Sequence, residues 1–175
     1  MSPVETVRRR HRLSETAAGV LALFLRLLWI AVVGAIVFSK VFLITQATGN
    51  EMFPAVKDGD LIIAFRLHRS YAKNDIIVYM QDGKTLIGRI AALEHDVVSM
   101  DENGILSVNG TEQHGEVLYP TYADDGQLYP HTVSEGSVYV LGDHRTAAHD
   151  SRERGDIPMD TIEGKVISLF RRRGL

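Results

Sequence analysis

The chain has 175 residues, a net charge of −3 and no cysteine. That length suffices for one modest domain with its own core, and the missing cysteines exclude disulfides, thiol catalysis and cysteine-ligated metals. Charge is unevenly placed. The first 44 residues carry Arg8, Arg9, Arg10, Arg12, Arg26 and Lys40 against Glu5 and Glu15, whereas the remainder holds 13 basic and 20 acidic residues. A basic tail, an apolar run and then an acidic domain point to a membrane protein and away from a nucleic-acid binder.

Residues 1–16 read as a basic cytoplasmic tail and 17–44 as a transmembrane signal anchor. A bilayer core takes about 20 apolar residues in a helix. Arg26 and Lys40 stand close enough to the ends of the run for their side chains to reach the head groups. The arginine cluster before the run places the N-terminus in the cytoplasm and exports everything beyond about residue 45. A cleavable signal peptide fits less well, since its apolar core spans roughly 7–15 residues before a small-x-small site, and Thr45-Gln46-Ala47 is a poor site. A buried globular helix fits worse, because residues 21–37 are apolar all round rather than striped.

Residues 45–175 read as a mainly β, extracytoplasmic domain. Short apolar runs at 61–65, 76–79, 86–92, 97–100, 105–108, 137–141 and 166–170 are separated by turn signals such as Gln81-Asp82-Gly83-Lys84, Asn103-Gly104 and Asn109-Gly110. This pattern predicts an antiparallel, barrel-like sheet. Residues 111–135, with Tyr119-Pro120 and Tyr129-Pro130, read as an excursion of little regular structure, and Arg171-Arg172-Arg173 as a solvated end.

Three segments carry a resemblance. They are Gly49-Asn50-Glu51-Met52-Phe53-Pro54 with Asp58-Gly59-Asp60 behind it, then Gly88-Arg89-Ile90, then 142–152, which reads GDHRTAAHDSR and is followed by Gly155 and Gly164-Lys165-Val166. In this order behind one anchor they resemble the boxes of the type I signal peptidases, family S26: G-x-S-M-x-P then G-D, K-R-V/I, and G-D-N-R-x-x-S-x-D-S-R. The likeness spans residues 18–170, and its short length and single anchor resemble the Gram-positive form.

What the resemblance implies is a serine nucleophile, a lysine base kept neutral by burial, and a second serine orienting the amine. Here Glu51, Gly88 and Ala148 stand at those three positions, and His144 stands where the family has Asn. The resemblance further implies a cleft formed by Gly49, Asn50, Glu51, Met52, Pro54 and Gly88, braced by ion pairs among Arg89, Asp143, Asp150 and Arg152. Glu51 alone is a poor catalyst, since carboxylates hydrolyse amides in pairs or with a metal. It is expected to reach water or a partner's donor group. His144, His149, Asp150 and Ser151 lie too near one another in sequence to converge as a triad, and the seven histidines show no metal-ligand spacing. No cofactor or metal is expected.

Three functions follow. The first is a non-catalytic, membrane-anchored binding module: the substitutions resemble those of signal-peptidase-like proteins that assist sortase-driven pilus assembly in Gram-positive bacteria. Its partners would be the lipid bilayer, an exported client such as a pilin subunit, and sortase. The second is an active signal peptidase with a non-standard site, and the third a structural membrane β domain.

Overall fold

The computed structural model describes residues 3–68, 70–113, 119–123 and 127–171. It divides into a helical unit, Met1–Lys40, and a β unit, Val41–Leu175.

The helix α1 spans Pro3–Val41. Its apolar part, Ala18–Val41, has 24 residues, about 36 Å at 1.5 Å per residue and so longer than a bilayer core of about 30 Å. Every side chain from 18 to 40 is exposed, Trp29 by 69%. Length and all-round apolar exposure fit a membrane anchor. Phe42, Leu43 and Ile44, grouped with the anchor on composition, instead begin strand β1 (Phe42–Gln46). They pair with Phe65, Ala64 and Ile63. An apolar run does not itself distinguish helix from strand; here the partner strand decides.

The β unit continues with β2 (Leu61–Phe65), β3 (Ile76–Gln81), β4 (Lys84–Ala92), β5 (Val97–Met100), β6 (Leu106–Val108), β7 (Thr111–Glu112), β8 (His131–Thr132), β9 (Ser137–Leu141), a one-turn helix α2 (Ser151–Arg154), β10 (Ile157–Pro158) and β11 (Ile162–Phe170). One sheet has the order β1-β2-β11-β3-β4-β9-β10 and a smaller one β7-β6-β5-β8, with antiparallel pairing in both, as the spacing of turns predicts. The β3–β4 hairpin turns on Asp82-Gly83, whose φ values of 51° and 72° are the left-handed pair that a two-residue turn between twisted strands requires. The excursion at 111–135 holds only β7 and β8 as regular pairing among its described residues; 114–118 and 124–126, like Arg172 and Arg173, lie outside them.

Strand β9 is buried at all five positions, because it is covered on both faces. Val138 and Val140 pack with Ile77, Tyr79, Ile90 and Ile157 on one side. Tyr139 and Leu141 pack with Val98, Leu106, Val108 and Val133 on the other. A third cluster joins Ile62, Ala64 and Val78 to Ala47, Met52 and Val56, which fastens the β1–β2 connection to the sheet. Ile62 is fully buried at its centre. Ile62→Ala is expected to lower unfolding free energy by about 2–5 kcal/mol, the usual cost of emptying such a site. Denaturant titration of the detergent-solubilised chain checks this, and a loss below about 0.5 kcal/mol, the level of an ordinary surface change, would refute the packing role.

Candidate functional site

Position 51 is presented by a tightly tied connection. Ala47 N–H donates to Asp60 O (2.8 Å), Gly59 N–H to Ala47 O (2.9 Å) and Val56 N–H to Met52 O (2.9 Å). Carboxylates close the remaining gaps: Gly49 N–H donates to Asp58 Oδ1 (2.9 Å) and Lys57 N–H to Asp60 Oδ2 (2.9 Å). With Met52 and Val56 anchored in the core, Glu51 is left half-buried beside them.

The end of β9 brings the three positions of interest together. His144 N–H donates to Glu51 O at 2.9 Å. A Cβ on Gly142 would lie 2.3 Å from Ala148 Cβ and 2.7 Å from Glu51 O, so only glycine permits this approach. Gly88, opposite Ile77 in the β3–β4 ladder, reaches the same strand from the other side. A Cβ there would lie 2.3 Å from Val140 Cγ1 and 3.4 Å from Tyr79 Cε1. Val140 is fully buried, and a β-branched side chain has little rotamer freedom with which to yield. The space beside residue 88 is therefore filled, not vacant.

No hydroxyl stands at 51 or 148 and no amine at 88. Tyr79 offers no substitute base. Burial first, then the charge of Asp150, with Arg154 opposing and Glu51 adding, raise its phenol far above its ordinary range, so it stays protonated. Ser151 is fully buried, its Oγ accepting from Val140 N–H at 3.0 Å. His149 is exposed and bound to Glu153 (2.6 Å). His144, His149, Asp150 and Ser151 thus form no triad. A second histidine–aspartate–serine group has the wrong order: His131 and Ser134 Oγ both contact Asp156, each at 2.7 Å, which places the carboxylate between them and no base on the serine. Among the described residues no group of three or more His, Asp or Glu could hold a metal.

The charged residues brace this end of the sheet. Arg89 binds Asp143 through two parallel bonds, Nε–Oδ1 at 2.8 Å and Nη2–Oδ2 at 2.6 Å, and donates to Asn74 O (3.0 Å). The hydrogen bond to Asp143 raises the Arg89 pKa against the effect of burial. Asp150 caps α2, accepts from Gly142 N–H at 3.0 Å and takes two bonds from Arg152 at 2.8 and 2.9 Å. Burial opposes the Arg152 charge, yet its bonds to Asp150 prevail and raise its pKa. Arg145 differs. It is buried, its Nη1 donates to Thr121 Oγ1 (2.7 Å), its Nε has no partner among the described residues, and burial lowers its pKa. The His144 ring lies between Tyr119 (4.4 Å between centroids) and Phe53 (6.3 Å). The 119–122 stretch thereby covers the 143–145 turn, a contact that nothing in the sequence pattern announces.

A cleft of roughly 400 Å3 opens next to Glu51, lined by 45–49, Glu51, Met52 and Val56 on one wall and by 84–87 on the other. Of the residues expected from sequence, Gly49, Glu51 and Met52 line it; Asn50, Pro54 and Gly88 do not. The walls belong to β1, the first strand of the large sheet, and β4, the fifth, so the sheet curls until the two stand across one seam. Both present unpaired backbone there. β9 pairs with β4 only from Arg89 onward, leaving 84–88 open on that side. At the two ends of β1, Val41 bonds to Arg66 and Ala47 to Asp60, the residues flanking β2, so by antiparallel alternation Ile44 and Gln46 direct their backbone groups to the open edge. Glu51 lines this seam, and its carboxylate has no hydrogen bond or ion pair among the described residues.

An apolar helix ahead of a curled antiparallel β domain is the signal-peptidase-type architecture. Residues 20–170 match the family model described as signal peptidase, peptidase S26, and the chain belongs to that family. It is similar to signal peptidase I of Bacillus caldolyticus, with 29% identity over 156 residues, 79% of this chain and 85% of the relative. It is also similar to a probable chloroplastic thylakoidal processing peptidase 2 of Arabidopsis thaliana, with 34% identity over 136 residues; that alignment covers 70% of this chain but spans only 35% of the relative. A solved signal peptidase I from Enterococcus faecalis aligns with a TM-score of 0.48 at 23% identity, covering 57% of this chain and 98% of that one.

Because Val140 occupies the space beside residue 88, Gly88→Ala is expected to destabilise by about 1–3 kcal/mol through overpacking, and Val140→Ala to relieve most of that cost. A double-mutant cycle on unfolding free energies measures the coupling; additive effects would show that Val140 is not the obstacle.

Proposed function

We propose that this chain is a non-catalytic S26 protein of the cell membrane that holds an exported client in its seam as an accessory factor in sortase-dependent pilus assembly. Residues 1–16 lie in the cytoplasm, the anchor crosses once, and the β unit faces outward. The observation that carries the reading is the contrast within one site: the seam between β1 and β4 is open, while the position of the family's base has glycine backed by a fully buried valine. Paired open edges suit an extended polypeptide, which would add as a strand and satisfy its backbone on both sides. Glu51 in place of the nucleophile and Ala148 in place of the orienting hydroxyl point the same way. The pilin client and sortase follow from the resemblance of these substitutions to those of pilus-assembly members of the family.

One observation favours a second reading, an active signal peptidase with a non-standard site: the relatives named above carry peptidase names. Purified chain incubated with a preprotein bearing an A-x-A site is expected to leave it intact. Cleavage that disappears in Glu51→Ala would overturn the non-catalytic reading. Glu51→Ser with Gly88→Lys and Ala148→Ser is expected to remain inactive until Val140→Ala is added, since the lysine needs the space that valine holds.

A further inference from the structure

We propose that Glu51 makes the seam selective for an extended segment carrying a lysine or arginine, whose cationic group pairs with the Glu51 carboxylate when the segment docks. This inference rests on the reading of the seam as a polypeptide site and adds to it the chemistry of the residue received.

Three observations lead there. First, Glu51 lines the cleft half-buried, and its carboxylate has no hydrogen bond or ion pair among the described residues. Second, no cation forms an ion pair with it among the described residues. Arg89 is committed to Asp143 and Arg152 to Asp150, while Arg145 is buried against Thr121. Lys84, the one basic residue lining the cleft, stands on the β4 wall and forms no ion pair with Glu51 among the described residues. Third, Gly88 brings no side chain, and Val140 holds the space that a Cβ there would take.

In the empty seam water solvates Glu51. A docked strand displaces that water, and the consequence depends on what the strand brings. A neutral segment leaves a carboxylate desolvated and unpaired, which is costly; an acidic one adds repulsion. A basic segment replaces the lost water with a charge-assisted hydrogen bond, among the strongest side-chain contacts available. Selectivity therefore arises from penalising the wrong segment as much as from attracting the right one. A metal ion would need further ligands, and no group of three candidates exists among the described residues.

The test uses the full chain in non-ionic detergent and fluorescent peptides of about ten residues. They alternate Thr and Val around a central Lys, norleucine or Glu, and are acetylated and amidated to remove terminal charges. The Lys peptide is expected to bind roughly tenfold more tightly than the norleucine peptide, and the Glu peptide more weakly than either. Glu51→Gln should bring Lys and norleucine within about twofold, and Glu51→Lys should invert the order. Equal affinities in the unaltered protein, or a Lys preference that survives Glu51→Gln, would overturn the inference while leaving the seam reading intact. If none of the peptides binds, the seam reading falls and the inference with it.

Discussion

Three stretches of chain meet at the C-terminal end of β9 because residue 142 has no side chain. Glu51 O approaches Gly142 from the β1–β2 connection and Ala148 from the loop before α2, while Asp150 takes the Gly142 N–H. Any Cβ there would push at least one of them away. The placement of Glu51, and with it the end of the seam, depends on this contact. His144 N–H on Glu51 O and Ser151 Oγ on Val140 N–H then lock the same junction from either side. The geometry is thus carried mostly by backbone groups, so it can persist while the side chains at 51, 88 and 148 change.

The ion pairs beside this junction hold register more than they add stability. Desolvating two charges offsets most of their attraction, although removing one partner of a buried pair costs about 3–5 kcal/mol. Asp150 and Arg152 are both nearly fully buried, so neither is free to change alone. Arg89 and Asp143 link β4 to the turn after β9 in the fork geometry that fixes orientation as well as distance. Arg145, buried with one side-chain bond to Thr121, is the exception in this group.

Much of the fold is legible in the sequence because its signals are local. Asp82-Gly83 and Asn109-Gly110 mark hairpins through the left-handed φ values they supply, and a short apolar run behind a turn signal marks β2. Strand β1 is not legible, since Phe42-Leu43-Ile44 continues the apolar composition of the anchor and only pairing with β2 separates them. The four-residue helix α2 is too short to show a period. The site divides in the same way. Residues 51, 88 and 148 can be picked out by motif position, but the cleft is walled largely by residues 45–48 and 84–87, which stand together only because of how the strands are ordered and which no motif marks. Val140 reads as an ordinary strand valine; its hold on the space beside Gly88 depends on which two strands become neighbours.

Two bare strand edges are ordinarily a hazard, since each is a template on which another molecule can pair. In this domain they face one another across a gap of limited volume, so each screens the other from an approaching sheet while leaving access for a single strand. A folded neighbour, a second copy of the domain included, offers a strand that brings its own sheet along. A nascent polypeptide, or a tail that has no fold to give up, brings nothing else. If the seam receives a polypeptide as proposed, it would therefore sort what it meets by maturity, admitting chains caught before folding or stretches that remain unfolded throughout.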